Sequence, residues 1–171
     1  MKLETERLII APLELSDAPF FLELVNDPDW IRFIGDRQVK TLEDAEDYLK
    51  NRILPSYSKF GFGFHKVCLK LGDLPIGISG VIHREELDHP DIGFAFLPSG
   101  RNKGYAFEST KAIYDFAVEH LGLKPILAIA NQDNKNSHRL LNKLGLRYKR
   151  LIQLSDEDQQ IYLFSDEAMD Q

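Results

Sequence analysis

Arg101-Asn102-Lys103-Gly104-Tyr105-Ala106 gathers two cations, a glycine and a small residue immediately ahead of Phe107-Glu108-Ser109-Thr110, where a helix is expected to start. The apolar run Phe94-Ala95-Phe96-Leu97 comes just before it. A buried strand, a basic Gly-containing loop and a helix start, in that order, make an anion cradle. A helix N-terminus exposes unpaired backbone N–H groups and carries partial positive charge. Gly104 and Ala106 let a bulky anion approach the backbone, and Arg101 and Lys103 add charge. A pyrophosphate fits such a site, although a turn before a helix also occurs with no ligand. The loop has neither the Gly-x-x-x-x-Gly-Lys-Ser/Thr of a nucleotide P-loop nor the Gly-x-Gly-x-x-Gly of a Rossmann site.

The elements that must position this loop are legible from pattern. Arg7 to Leu13 reads as a strand. Ser16 is expected to cap a helix to about Val25, with Phe20, Phe21, Leu24 and Val25 as its apolar stripe. Trp30 to Ile34 reads as a short turn or helix. Thr41 opens a helix with acids in its first turn, which Pro55 should end. Strands follow at Phe60 to Lys70 and Pro75 to Arg84, joined by the turn Leu71-Gly72-Asp73-Leu74. Asp91 to Leu97 is a strand that its apolar character predicts to be buried on both faces. A helix from about Tyr105 to His120, a strand at Pro125 to Ala130, a helix from Ser137 to Leu144, and strands at Tyr148 to Leu154 and Gln160 to Phe164 complete the order. This predicts a single mixed α/β domain over residues 1–171, with a mostly antiparallel sheet and one strand-helix-strand crossover.

Composition sets bounds. A chain of 171 residues can bury a core of its own, roughly 70% of the surface its unfolded form exposes. The formal net charge of −6 argues against a nucleic-acid surface and is compatible with cationic partners. The lone cysteine, Cys68, has no internal partner and suits a strand core in a reducing, cytoplasmic setting. No apolar stretch is long enough for a membrane span, the N-terminus lacks a signal-peptide pattern, and the histidines show no metal-ligand spacing.

Three segments carry a family resemblance. Arg101-x-x-Gly104-x-Ala106 resembles the Arg/Gln-x-x-Gly-x-Gly/Ala signature of GNAT acetyltransferases. Glu4-Thr5-Glu6-Arg7-Leu8 resembles the Thr-Glu-Arg-Leu opening of that superfamily's ribosomal-protein N-acetyltransferase branch. Asn134-x-x-Ser137-x-x-Leu140-Leu141-x-Lys143-Leu144-Gly145 is similar to the branch's late helix, with Leu146 where Phe is usual. The resemblance implies a GNAT fold: a central seven-stranded sheet, mostly antiparallel, flanked by helices, in which the parallel strands at Asp91 to Leu97 and Pro125 to Ala130 splay apart. It implies acetyl-CoA in the gap. Backbone groups of Phe94, Phe96 and Leu97 would pair with the pantetheine amides, and amides of Arg101, Asn102, Lys103, Gly104, Tyr105 and Ala106 would hold the pyrophosphate. Asn134 would contact the pantetheine arm and Lys143 the adenosine end.

Acetyl transfer to an amine needs a base and a donor for the developing oxyanion, and an acid can serve the leaving sulfur. A backbone N–H near Phe96 is the expected oxyanion donor. Asp91 is the first candidate base, acting through water, or else an exposed acid at a strand start; Glu85, Glu86 and His83 stand behind it. Relatives often carry a Tyr acid where this chain has Leu141. That leaves Ser137 as the candidate catalytic partner of sulfur, or as an ordinary helix-start residue. Glu108 matches a common family acid and also suits the helix dipole. Trp30, Phe33 and Phe62 are candidates for the acceptor pocket or else for core packing. The branch points to a protein N-terminal α-amine as acceptor, with small amines (polyamines, amino acids or antibiotics) or a non-catalytic acyl-CoA-binding module as alternatives, in a monomer or homodimer.

Overall fold

The computed structural model describes residues 1–168. Strands β1 (Leu3–Glu4) and β2 (Leu8–Pro12) lead into helices α1 (Ala18–Val25), α2 (Pro28–Phe33), α3 (Leu42–Tyr48) and α4 (Leu54–Phe60). Strands β3 (Phe64–Leu69), β4 (Leu74–Ile82) and β5 (Asp91–Phe96) follow, then α5 (Tyr105–Glu119), β6 (Leu127–Ala130), α6 (Lys135–Leu144), β7 (Arg147–Ile152) and β8 (Ile161–Ser165). They form one sheet in the order β1-β2-β3-β4-β5-β6-β8-β7, antiparallel at every junction except β5 with β6. The count is eight rather than seven, because the two-residue β1 folds back on β2 through Leu3 opposite Ile10.

Alternation along the strands buries both faces of the sheet. On one face, Leu8, Val67, Ile92 and Phe96 pack against Ile113 and Ala117 of α5 and Leu141 and Leu144 of α6. On the other, Ile78 and Leu97 pack with Phe21, Leu24, Ala45, Leu49 and Ile53 from the first helices. Ile76 and Ile78, two apart on β4, lie in different clusters. The register shifts there, with Val67 opposite Gly77 and Cys68 opposite Pro75, so Ile76 is the extra residue of a bulge and turns to the other face. Its carbonyl accepts from the Leu97 amide at 2.8 Å, which ties the bulge to the end of β5.

Two helix expectations need correction. Ser16 does not cap α1. It lies in a short 3-10 turn, Leu15–Asp17, closed by Asp17, whose carboxylate accepts from the Glu14 amide at 2.8 Å; Asp17 also pairs with Lys66 of β3 at 3.0 Å. Pro55 does not end the second long helix. A π-helical stretch, Leu49–Ile53, widens the turn ahead of it, and Pro55 falls in the first turn of α4, where a missing N–H costs no helical bond. Thr41 does cap α3, accepting from the Asp44 amide at 3.0 Å while the Asp44 carboxylate accepts from the Thr41 amide at 3.0 Å.

Candidate active site

β5 and β6 are paired only at Asp91 and Leu127, with the Leu127 amide donating to the Pro90 carbonyl at 2.9 Å. Beyond that point they diverge. The Leu97 amide, bound to Ile76, fixes the phase of β5: Gly93 and Ala95 turn their backbone groups to β4, and Phe94 and Phe96 turn theirs to the side where β6 has moved away. A cleft of about 1440 Å³ opens there, larger than the roughly 300–1,000 Å³ of a pocket for one small ligand. It also explains why Gly93, Phe94 and Ala95 are half-buried, whereas the apolar run predicted burial on both faces. Leu97 departs from its expected role. Its amide is committed to Ile76, its carbonyl accepts from Gly100 at 2.9 Å, and it does not line the cleft.

The basic loop meets the cleft at the start of α5. Gly104 is the N-cap, with φ of 82°, a left-handed conformation that costs a non-glycine residue energy. The first helical bond runs from Glu108 N–H to the Gly104 carbonyl at 3.0 Å, so the amides of Tyr105, Ala106 and Phe107 precede it and have no helical acceptor. All three residues line the cleft. The side-chain charges of the loop are spent elsewhere. Arg101 pairs with Asp27 and with Asp29, the latter at 3.1 Å, and its amide, expected to face a phosphate, donates instead to the Pro98 carbonyl at 3.2 Å; Lys103, also expected there, does not line the cleft, and its Nζ donates to the Ser99 carbonyl at 3.3 Å. What the loop leaves toward the cleft is therefore backbone amide and helix dipole, with Lys143 nearby, its Nζ 4.0 Å from the centre of the Phe107 ring.

Arg7, to which the sequence reading gave no role, holds this loop. Its Nε donates to Glu108 Oε2 at 2.7 Å, its Nη1 donates to the Lys103 carbonyl at 2.9 Å, and its guanidinium lies 4.4 Å from the centre of the Tyr105 ring. Glu108 Oε1 accepts from Thr5 Oγ1 at 2.6 Å and from the Arg7 amide at 2.9 Å. The Thr5-Glu6-Arg7 segment thus clasps the first turn of α5 through Glu108. Burial alone would raise the Glu108 pKa; the hydrogen bonds from Thr5 and Arg7, with the Arg7 charge, outweigh it and hold the carboxyl below its ordinary value.

On the α1–α4 side of the cleft stand Trp30, Phe33, His83 and Asp91. Phe62 is not among them; it packs on the α5 core. Glu86 accepts from the Ser155 amide at 2.8 Å, and neither it nor Glu85 lines the cleft. Asp91 is not an exposed strand-start acid: it is 1% exposed. Its Oδ2 accepts from Arg84 Nε at 3.1 Å, and its Oδ1 has no partner among the described residues. Burial pushes its pKa up, and the nearby Arg84 offsets that only in part. Across the gap, Asn134 caps α6, its Oδ1 accepting from the Ser137 amide at 3.2 Å, which leaves its amide nitrogen for another partner. Ser137 lines the cleft with no hydroxyl bond among the described residues. Leu141 is 1% exposed and closes the cleft floor into the core.

A family model described as an acetyltransferase (GNAT) domain matches residues 7–147, and the chain belongs to that family. It is 30% identical over 162 residues to the uncharacterized N-acetyltransferase YnaD of Bacillus subtilis (strain 168), covering 92% of this chain and 91% of that one. The fold is similar to a crystal structure of an acetyltransferase from Agrobacterium tumefaciens (TM-score 0.83, 23% identity, 96% and 93% of the two chains). It is also similar to RimL, a ribosomal L7/L12 α-N-protein acetyltransferase in complex with coenzyme A (TM-score 0.82, 12% identity, 96% and 97% of the two chains). The chain is an N-acetyltransferase, of a family that uses acetyl-CoA.

Two substitutions separate the floor from the loop. Leu141→Ala empties a packed position and is expected to cost about 2–5 kcal/mol, on the order of ten degrees in melting temperature for a chain of this size. Arg7→Ala leaves the core intact. Its ion pair is partly solvated, so the expected stability loss is only about 1 kcal/mol. Acetyl-CoA affinity, measured by titration calorimetry, should nevertheless fall roughly fivefold to tenfold because the loop is no longer held in its bound geometry. Since the Glu108 pKa is lowered, the stability this clasp contributes is present above the ordinary carboxylate pKa of about 4 and is lost as the pH falls through the lowered value.

Proposed function

We propose that the chain transfers the acetyl group of acetyl-CoA to the α-amine of a protein N-terminus, in the cleft between β5 and β6. The observation that carries this reading is the splay of the two strands, which leaves the backbone groups of Phe94 and Phe96 directed into the cleft and unpaired by β6. That is the donor–acceptor ladder a pantetheine arm requires. The α5 start fits a pyrophosphate: the amides of Tyr105 and Ala106 precede the first helical bond with no side-chain cap in the way, and Asn102 and Gly104 line the cleft beside them. The free amide nitrogen of Asn134 serves the pantetheine arm and Lys143 the adenosine end.

The Phe96 N–H faces the position where negative charge develops on the thioester oxygen. Asp91, ionised, takes the proton that the ammonium must lose, through a water at the cleft wall. Asp91 passes that first proton to solvent through the same water before the neutral amine attacks; as the C–S bond breaks, the second proton of the nitrogen passes to Asp91, and coenzyme A leaves as a thiolate that the Ser137 hydroxyl hydrogen-bonds until it takes a proton from solvent. The enzyme works as a monomer or homodimer in a reducing, cytoplasmic setting.

Melting with and without acetyl-CoA tests the binding half. Acetyl-CoA at about 100 times its dissociation constant adds roughly 2.7 kcal/mol, a shift of several degrees, and ATP should give none. Thiol release with peptides, polyamines and free amino acids tests the acceptor. Peptides bearing a free N-terminus should be turned over and their N-acetylated counterparts should not. No shift with acetyl-CoA removes the cleft assignment, and turnover confined to polyamines removes the N-terminal acceptor.

A further inference from the structure

The cleft carries opposite charges on two walls. Arg32 of α2, Arg37 beyond it, Arg52 in the π-helical stretch and Lys59 of α4 all line it, and none makes an ion pair among the described residues. Arg37 donates only a long bond to the Ile34 carbonyl, at 3.4 Å. Arg32 and Lys59 lie over the rings of Phe33 and Phe60, 4.6 and 5.0 Å from the ring centres, so aromatic faces rather than carboxylates hold them. Of the other cations of the cleft, Arg84 is paired with Asp91 and Arg101 with Asp27 and Asp29, whereas Arg139 and Lys143 of α6 line it without ion pairs among the described residues. On the opposite side, Asp156 and Glu157 of the β7–β8 turn line the same cleft without ion pairs.

A net charge of −6 makes an uncompensated basic wall at the acceptor side a local departure from the rest of the molecule. Such a field selects anions. Arg52 and Lys59 are seven residues apart along one helical rod, a rise of about 10 Å. That exceeds the reach of one carboxylate and matches about three residues of extended chain. The cleft, at about 1440 Å³, has room for more than one small ligand.

Resting on the N-terminal acceptor reading above, we propose that the acceptor is an acidic peptide. Its α-ammonium is drawn between the β7–β8 turn and Asp91, and acidic side chains about three residues apart engage Arg52 and Lys59, with Arg32 and Arg37 beside them. The cationic wall then sets which N-termini are acetylated, while Asp91 and the β5 backbone act on any amine that reaches them.

The test uses peptides with one N-terminal residue and length, identical except for two aspartates, two asparagines or two lysines in the following stretch. Thiol release is measured with the wild type and with the exposed double variant Arg52→Glu, Lys59→Glu. The wild type should favour the aspartate peptide over the asparagine peptide by about tenfold in kcat/KM at low salt, with the preference shrinking as salt is added. The double variant should reverse the order toward the lysine peptide while its acetyl-CoA affinity stays at the wild-type value. Equal turnover of the three peptides by the wild type, or a uniform loss across all three in the variant, overturns the acidic preference and leaves the N-terminal acceptor standing. Normal acetyl-CoA binding with no peptide turned over, or free glutamate preferred over every peptide, overturns both.

Discussion

Gly104→Asp is expected to weaken acetyl-CoA binding by about 100-fold or more, close to 3 kcal/mol. Two effects act together. The residue must adopt a φ of 82°, which costs most residues about 1–2 kcal/mol. Its carboxylate would also face the phosphates at the point where the α5 amides are meant to receive them. A Cβ at 104 would stand 3.3 Å from Arg7 Nη2, so the new acid competes with Glu108 for Arg7 and loosens the clasp as well. Gly104→Asn separates geometry from charge, because Asn has nearly the same shape and tolerates the left-handed region. It should lose only about fivefold to tenfold, with most of the gap between the two variants due to charge. Titration calorimetry on both, with melting curves to confirm the fold, decides the matter. Equal affinities for Asp and Asn would mean that no phosphate sits at the start of α5.

The glycine-capped start of α5 was legible because its signal is local. A glycine needed for positive φ, a small residue two positions on and a helix start lie within one short stretch, and each leaves a mark on composition. The charges of that stretch misled for the opposite reason. Arg101 reads as an anion ligand until the chain folds and brings Asp27 and Asp29 to it from α2 and its cap. Arg7 shows the same limit. The Thr-Glu-Arg-Leu opening was visible as a family resemblance, yet its purpose rests on Glu108, which lies 101 positions further along the chain. Nothing in either segment alone announces that contact. Glu108 by itself suggests no more than an acid suited to a helix dipole.

Backbone devices hid in a similar way. Apolar pattern located β4, but not the extra residue at Ile76 that sends Ile76 and Ile78 to opposite faces and supplies the carbonyl that binds Leu97. That bond is why Leu97 cannot serve as a cofactor ladder position while Phe94 and Phe96 remain directed into the cleft. Proline at 55 predicted a stop, since a proline inside a continuous α-helix removes a bond and clashes with the preceding turn. The π-helical stretch Leu49–Ile53 comes before it, and Arg52 in that stretch and Lys59 in α4 both line the cleft. The splay of β5 from β6 came from the resemblance; the strand patterns themselves gave no sign of it.

Asp91→Asn is expected to make the protein a poorer catalyst and a more stable fold at neutral pH. In the proposed role of base, Asp91 would contribute roughly 10²–10⁴-fold to turnover, and the amide could not accept the proton. kcat should fall by that order while the acetyl-CoA dissociation constant stays unchanged, because the proposed cofactor contacts lie further along β5 and on α5. In the wild type, kcat/KM should rise with pH as Asp91 ionises above the usual carboxylate range, and that limb should vanish in the variant. Stability moves the other way. A raised folded-state pKa means that the group's favourable contribution is complete below the unfolded pKa of about 4 and is lost as pH climbs through the folded value. Once ionised, the wild-type carboxylate is a charge in a site that is 1% exposed, with Oδ1 unpartnered among the described residues. Arg84, with its side chain 32% exposed, can return to water when that charge is removed. The variant should therefore melt a few degrees higher at neutral pH, with the advantage disappearing near pH 4. A lower melting temperature at neutral pH would make the Arg84 pair a brace of the sheet, and an unchanged kcat would take the proton away from Asp91 altogether. Both results together would leave the residue structural; faster melting with slower turnover would assign it both roles. Only a gain in stability paired with a loss of rate identifies a carboxylate kept in an unfavourable place for its chemistry.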